Sequence, residues 1–122
     1  MVANTASLKA LNDYIKSQGH GPITMARFRP NIVIDSDEPW AEDEWKNLKI
    51  GDTDLQLVKP CTRCTITTLD PETGEARHEP VLEVLRKFRM SSDSHNKGVL
   101  FGVNAVIIKG GAVHVGQSVR KT

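Results

Sequence analysis

The sequence predicts a β-rich α+β domain in which the strands form a partly closed β-barrel with a few short helices. Short runs of β-branched or alternating apolar residues outnumber the patterns typical of helices. The two kinds of pattern do not alternate regularly along the chain, which argues against a parallel βαβ arrangement. The length of 122 residues is that of one domain, so we expect a single domain over residues 1–122.

The N-terminal half predicts a helix, a strand and a tryptophan-rich segment. Ser7 is a candidate N-cap of a helix with one apolar face. That face consists of Leu8, Leu11 and Ile15. The β-branched run 31–34 predicts a central strand. The segment 39–48 has the spacing of one or two helical turns, and we expect Trp40 and Trp45 to anchor it on the core.

The middle of the chain predicts two strands on either side of the cysteines. Leu55 and Leu57 alternate with polar residues as in a half-buried strand. Residues 65–69 are rich in β-branched side chains and predict a second strand, which ends at a turn over 70–74. The segment Cys61–Cys64 is therefore expected to join two strands.

The C-terminal part predicts a helix, a polar loop and a hairpin. Pro80 suits the first turn of the helix. The side chains predicted to point inward are Val81, Leu82, Leu85 and Phe88. Residues 91–98 predict a polar loop. The segments 103–108 and 113–119 flank a glycine-rich turn and predict a β-hairpin.

Composition and charge exclude several classes of protein. The chain has 16 basic and 15 acidic side chains and a net charge of +1, so it lacks the basic surface of a general nucleic-acid or anionic-membrane binder. No apolar stretch approaches the roughly 20 residues of a membrane span, and the first residues lack the pattern of a signal peptide. We expect no nucleic-acid partner, no membrane segment and a cytoplasmic location with reduced thiols.

Cys61 and Cys64 are the only cysteines of the chain, and the residues alone leave three interpretations open. A redox pair of the thioredoxin kind should open a helix, whereas the residues that follow favour a strand. A structural zinc site needs four ligands, and the four histidines show no paired spacing. In the third interpretation, both cysteines pack as small apolar residues at a strand end.

Three polar residues favour an anionic, sulfur-bearing or metal-bearing ligand. Arg63 lies between the two cysteines and supplies positive potential that favours a thiolate, which is a soft metal ligand or a nucleophile. Arg29 offers a fork suited to bidentate phosphate binding, and Asn31 can donate and accept beside it. A salt bridge for Arg29 and a turn hydrogen bond for Asn31 are the alternative. We expect Arg27 to be a solvated partner of the glutamate-rich segment.

Five motifs follow one another along the chain. They are Arg29-Pro30-Asn31, Trp40-Ala41-Glu42-Asp43-Glu44-Trp45, Ile50-Gly51-Asp52, the cysteine motif that runs from Cys61 to Thr68, and Asp70-Pro71-Glu72-Thr73-Gly74. In this order and spacing they resemble the C-terminal domain of molybdenum cofactor sulfurases, the MOSC domain, over about residues 6–119. Within that superfamily they resemble in particular the mitochondrial amidoxime reducing components and their bacterial relatives.

The resemblance implies a β-barrel-like fold that holds molybdenum through a pterin cofactor. It implies that Cys64 is the thiolate ligand of molybdenum and the catalytic residue that tunes the metal. Arg29 and Asn31 would hold the phosphate and pterin portion of the cofactor. Thr62 and Arg63 would supply hydrogen bonds from the cysteine loop. In related enzymes the metal centre takes oxygen from N-hydroxylated substrates, and a separate iron-sulfur, haem or flavin protein donates electrons.

Three hypotheses about function follow from the resemblance. The chain is a molybdenum-dependent oxidoreductase module, or a module that carries the cofactor or a persulfide sulfur on Cys64, or a non-catalytic remnant in which Cys61 and Cys64 only pack. Related enzymes have an additional N-terminal portion that this chain is expected to lack, so half of the cofactor pocket would be absent. Unpaired strand edges would then favour self-association.

Overall fold

The computed structural model describes residues 1–122 and contains six strands, two α-helices and three 3₁₀ turns. The strands are β1 (Val2–Asn4), β2 (Ile32–Ile34), β3 (Asn47–Ile50), β4 (Thr53–Arg63), β5 (Val99–Lys109) and β6 (Val119–Lys121). The helices are α1 (Thr5–Ser17) and α2 (Val81–Phe88). The turns are the arginine turn (Met25–Phe28), the tryptophan turn (Ala41–Asp43) and the cysteine turn (Thr65–Thr68). Neither helix combines the length and apolar character needed to cross a membrane.

All six strands form one sheet in the order β2-β1-β5-β4-β3-β6. β1 and β2 are parallel, and the other pairs are antiparallel. The edge strands β2 and β6 do not pair with each other, and both line a cavity of about 930 Å³. The sheet is therefore a nearly closed barrel that is open along one seam, between β2 and β6. This confirms the predicted β-rich α+β fold with a partly closed barrel.

The main core lies where α1 and α2 pack with β5 and the arginine turn. Its centre is the stacked pair Phe28 and Phe101, whose ring centroids lie 3.7 Å apart. Trp40 packs against this cluster, and Trp45 packs against a second cluster that includes Leu48 of β3. The predicted anchoring of both tryptophans is confirmed. The stacked rings place the arginine turn on the core, beside the cysteine end of β4.

The first helix buries Leu11 and Ile15, as predicted, but its predicted cap is wrong. The N-cap is Asn4, whose Oδ1 accepts a hydrogen bond at 3.0 Å from the backbone N–H two residues later. Ser7 lies inside α1, where it is buried and donates to Glu42. Both residues are good helix caps. Asn4 takes the role because it ends β1 directly before the helix.

The run 31–34 forms a strand, but the prediction of a central strand is wrong. β2 is an edge strand that pairs with β1 alone. Val33 is accordingly 45% exposed. A β-branched run indicates an extended backbone, whereas the number of neighbouring strands depends on the sheet as a whole.

The predicted strand over 65–69 is also wrong. β4 continues through Cys61 to Arg63, and the cysteine turn follows it. The Thr67 hydroxyl donates to the Cys64 carbonyl at 3.0 Å, and the Thr67 N–H donates to the same oxygen at 3.2 Å. These local bonds stabilise a turn over residues whose side-chain type favours a strand. The segment Cys61–Cys64 therefore joins a strand to a turn, not two strands.

The helix after Pro80 is confirmed, with one correction. α2 buries Val81 and Leu85, as predicted. Phe88 is 40% exposed, so its predicted inward position is wrong. It lies at the end of the helix, where its ring contacts that of Tyr14 at a centroid distance of 5.2 Å.

The tryptophan-rich segment 39–48 contains one short helical turn, as predicted for its first part. Its end is different, because Leu48 lies in β3 opposite Leu55. The spacing between Trp45 and Leu48 is therefore not that of a helix.

The predicted C-terminal hairpin is wrong. The run 113–119 does not pair with β5, and only Val119 of this run lies in a strand, β6, which pairs with β3. The chain passes close to the start of β4, since a Cβ at Gly111 would lie 2.8 Å from the Thr53 hydroxyl. Glycine permits this close approach. The chain is thereby led to the far edge of β3.

Candidate functional site

Hydrogen bonds from two arginines hold the arginine turn against the cysteine turn. Arg63, at the end of β4, donates from Nη2 to the carbonyl of Phe28 at 2.6 Å. Arg29, which ends the arginine turn, donates from Nη1 to the carbonyl of Ile66 at 2.9 Å. The two bonds run in opposite directions between the segments. They bring together Arg29, Arg63 and the cysteine that precedes the turn.

Cys64 is the N-cap residue of the cysteine turn and is exposed. Its carbonyl oxygen is bonded to the N–H and hydroxyl of Thr67. The hydrogen bonds that involve a thiol in this chain belong to Cys61, so the Cys64 sulfur has none. The backbone therefore fixes this residue, and its sulfur is left free for a ligand.

Cys61 is half-buried within β4, and its sulfur accepts a hydrogen bond from Arg63 Nη1 at 3.1 Å. Because residues 61–63 are extended, the Cα atoms of Cys61 and Cys64 lie about 10 Å apart at the usual rise of about 3.3 Å per residue. A disulfide needs a Cα separation below about 7 Å. The conformation is therefore not that of a thioredoxin-type redox pair.

No group of three or more histidine, cysteine, aspartate or glutamate side chains is placed to hold a metal ion. The zinc interpretation of the cysteines thus has no ligand set.

Arg29 combines an unusual backbone with unused donors. Its φ of 52° lies in the left-handed region, which costs about 1–2 kcal/mol for a residue with a side chain. Nη1 donates to the carbonyls of Arg27 and Ile66, both at 2.9 Å. Nε and Nη2 have no partner in the chain, and the residue is exposed. These nitrogens can therefore form a fork to an anion.

The prediction that Arg27 is a solvated partner of the glutamate-rich segment is wrong. Arg27 is 4% exposed and donates from Nε to the carbonyl of Thr67 at 2.7 Å. Its Nη1 lies 3.6 Å from Oε1 of Glu79. Nη2 is buried and has no partner. The physical reason is that the arginine turn points Arg27 and Arg29 differently, so that only Arg29 remains exposed.

Glu79 and Asp70 belong to a series of ion pairs that begins at Arg27 and continues through Arg77. Burial of Glu79 opposes ionisation, but backbone hydrogen bonding and the charges of Arg27 and Arg77 outweigh it and lower the pKa of Glu79. Two backbone N–H groups of its own turn lower the pKa of Asp70, and Arg77, 3.9 Å away, adds to this. Both side chains therefore stay negatively charged at neutral pH.

Asn31 has no hydrogen bond to the cysteine turn. It lines the seam cavity, which neither Arg29 nor Cys64 lines, and its Oδ1 accepts a hydrogen bond from the Met1 amino group at 2.5 Å. The other wall of the cavity comes from residues 113–119. The structure thus groups Arg29, Arg63 and Cys64, and places Asn31 at the seam.

Thr62 and the polar loop lie on the β5 side of the cysteines. Thr62 belongs to β4, is half-buried and has no side-chain hydrogen bond. The predicted loop over 91–98 is confirmed, and its Asn96 donates from Nδ2 to the carbonyl of Pro60 at 3.0 Å. The loop therefore lies beside the cysteine end of β4.

Sequence reasoning missed Thr67 and Glu79. Threonine can bond to a carbonyl three residues earlier, and this was the available signal for Thr67. Glu79 had no such signal, because its partner Arg27 is distant in sequence and the two meet only in the folded chain.

The fold and the site define a barrel-like domain that presents one exposed thiol without hydrogen bonds next to guanidinium groups. The chain matches the model of the MOSC domain over residues 1–120, and it belongs to that family. This confirms the resemblance found in the motifs.

The chain is similar to amidoxime-reducing components from several vertebrates. It is 37% identical over 123 residues to mitochondrial amidoxime-reducing component 1 of Homo sapiens. This alignment covers 98% of this chain and 35% of that protein. It is 34% identical to mitochondrial amidoxime-reducing component 1 of Danio rerio, over 99% of this chain and 36% of that protein. It is 36% identical to mitochondrial amidoxime reducing component 2 of Rattus norvegicus, over 93% of this chain and 34% of that protein. The chain thus spans about a third of the length of these relatives.

Proposed function

We propose that this chain is the cofactor-binding part of a molybdenum oxidoreductase that acts on N-hydroxylated substrates, with Cys64 as the protein ligand of the metal. The observation that carries the proposal is the exposed Cys64 thiol, free of hydrogen bonds, at the start of a turn held by Arg29. A thiolate is a soft ligand suited to a transition metal. The names of the amidoxime-reducing relatives support the class of reaction.

The groups around the cysteine turn fit a cofactor that has an anionic part and a soft metal. Arg29 has unused guanidinium nitrogens, which suit a phosphate. Arg63 is fixed at both Nη atoms, and its buried Nε has no partner. It therefore adds positive charge at a fixed place. Asn31 and Thr62 belong to the proposal as further contacts, from the seam and from β4.

When bound, the molybdenum centre would supply oxygen-transfer and redox chemistry that amino-acid side chains do not provide. The task of this chain is to hold the cofactor through Cys64 and to balance its negative charge with Arg29 and Arg63. We also propose that a separate protein, of the iron-sulfur, haem or flavin kind, donates the electrons.

A second candidate function is that of a carrier. An exposed thiol without hydrogen bonds can also hold a sulfur atom as a persulfide or present the cofactor to another protein. This candidate predicts binding without turnover of an N-hydroxylated substrate. The oxidoreductase predicts turnover once an electron donor is added.

The test is the molybdenum and pterin content of the chain after expression in a host that makes the cofactor. The Cys64→Ser variant is compared with Cys61→Ser, a matched control at the other cysteine. We expect near-stoichiometric molybdenum in the parent and in Cys61→Ser, and its loss in Cys64→Ser. Equal loss in both variants, or molybdenum retained in Cys64→Ser, would contradict the assignment of the ligand. No molybdenum in any of the three proteins would contradict cofactor binding by this chain.

A further inference from the structure

Arg27 is a buried arginine whose contacts lead towards Cys64. A buried guanidinium is unfavourable unless hydrogen bonds and opposite charge compensate for the lost water. Arg27 is 4% exposed, and one of its nitrogens, Nη2, has no partner. An apolar side chain of similar size would avoid this unfavourable term. The presence of an arginine at this buried position is therefore explained by the contacts that its Nε and Nη1 make.

Thr67 connects Arg27 to Cys64. Its carbonyl accepts from Arg27 Nε at 2.7 Å, while its N–H and hydroxyl donate to the Cys64 carbonyl at 3.2 and 3.0 Å. Thr67 is completely buried, so water does not replace these bonds when they break. Since no hydrogen bond holds the Cys64 thiol itself, the direction of the thiol depends on this anchored backbone.

Glu79 holds Arg27 in the required orientation. Its Oε1 lies 3.6 Å from Arg27 Nη1, and its side chain is 16% exposed. The same oxygen lies 4.0 Å from Arg77 Nε. The pairing fixes one arm of the Arg27 guanidinium, so that Nε stays directed at Thr67. A lysine has no second arm and cannot make both contacts in this geometry.

We propose that Arg27 is a positioning residue for the molybdenum ligand: together with Glu79 it fixes the cysteine turn and so sets the direction of the Cys64 thiol. The identity of the ligand rests on the proposed function. The contacts from Glu79 through Arg27 and Thr67 to Cys64 belong to the chain alone. Arg29 differs in role, because its unused nitrogens are exposed and available to a bound anion.

The test measures hydrogen exchange at the Thr67 amide by NMR, relative to a core amide such as that of Leu11 in α1. The variants are Arg27→Met, Arg27→Lys and Glu79→Gln. The matched control is Arg89→Met, which removes another mostly buried arginine, paired with Asp43 at 2.7 Å and without a hydrogen bond or ion pair to the cysteine turn. Molybdenum content and the absorption spectrum of the bound metal are measured on the same proteins.

We expect the relative exchange of Thr67 to rise about tenfold or more in Arg27→Met, the size expected for losing a hydrogen bond from a charged donor. Arg27→Lys should not restore protection, because it keeps the charge but loses the fork. Arg89→Met should leave the ratio unchanged. In loaded protein, Arg27→Met should lose molybdenum or shift its absorption spectrum, and Arg89→Met should do neither.

Four results would overturn the inference. They are unchanged Thr67 exchange in Arg27→Met, an equal rise in Arg89→Met, full protection in Arg27→Lys, and altered exchange with unaltered metal content and spectrum. If Arg27→Met does not fold, Glu79→Gln and Arg27→Lys decide by the same ratio. If the parent contains no molybdenum, the proposed function and the description of Cys64 as a molybdenum ligand are contradicted. The exchange ratio still shows in that case whether Arg27 fixes the turn.

Discussion

Substitution of Glu42 tests whether a buried carboxyl group is needed for its shape or for its charge. Glu42 is fully buried and has no cationic partner. Its Oε2 accepts from Asn4 Nδ2 at 2.9 Å, and both carboxyl oxygens share the Ser7 hydroxyl at 2.7 and 2.9 Å. These bonds tie the tryptophan turn to the start of α1.

Glutamine has the same heavy-atom shape and can satisfy the same partners. Its Oε1 can accept from Asn4 and Ser7, and its Nε2 can donate to the Ser7 oxygen. The same Ser7 oxygen also accepts from the Trp40 N–H at 2.8 Å. We expect Glu42→Gln to change the free energy of unfolding by less than about 1 kcal/mol. Glu42→Ala removes the shared acceptor and leaves a cavity, so we expect a loss of about 2–4 kcal/mol.

Urea titrations of the parent and both variants at neutral pH, followed by tryptophan fluorescence, measure these differences. Equal m values in the three proteins show that the unfolding free energies are comparable. A glutamine variant that loses as much stability as the alanine variant would refute the reasoning. It would mean that the fold needs the negative charge of Glu42 and not only its two acceptor positions.

Three further predictions concern pH, backbone conformation and association. Because the pKa of Glu79 in the folded chain lies below its ordinary value of 4.5, its contribution to stability is present above that pH and is lost as the pH falls through the folded pKa. Urea titrations at several pH values should therefore show a smaller acid loss in Glu79→Gln, and equal losses would contradict this. Gly102→Ala should destabilise the fold by about 2–4 kcal/mol in the same assay, since φ is +80° and a Cβ would lie 2.9 Å from the Val2 carbonyl. Gly110→Ala, with open space around it, should have little effect. Self-association through unpaired strand edges stays a prediction. Val33 is 45% exposed on the edge strand β2, so Val33→Lys should lower the apparent mass in sedimentation velocity. A parent that is already monomeric at high concentration would contradict this prediction.

Local sequence patterns predicted the type of each element better than they predicted which elements pair with each other. The apolar spacing of Leu11 and Ile15 determines which face of α1 is buried, because a helix has one face on the core. A strand has no such local constraint on its partners. The runs 31–34 and 113–119 both contain β-branched residues, yet the first forms an edge strand and most of the second lies outside the sheet. Pairing depends on which strand edges the rest of the chain leaves open.

The sequence indicated which segments form the candidate site, but not how the fold divides the roles of its arginines. Arg29 and Asn31 were expected to hold one cofactor together with Cys64. The structure places Arg29 against the cysteine turn and Asn31 on the seam cavity. Arg27 differs from Arg29 by two positions and has the same side chain. Only the three-dimensional path of the arginine turn, with its left-handed residue at the end, turns one inward and leaves the other exposed. Sequence spacing does not contain that information.

The cysteine turn explains why the two thiols of one short motif differ. In a continuous strand, Cys64 would be fixed on one face of the sheet among the side chains of neighbouring strands. As the N-cap of a turn, it has its carbonyl tied inward by Thr67 and its side chain outside the hydrogen-bonded unit. Cys61 remains in β4, where Arg63 donates to its sulfur at 3.1 Å. One thiol accepts a hydrogen bond from the protein and the other has none, and this difference favours Cys64 over Cys61 as the proposed molybdenum ligand.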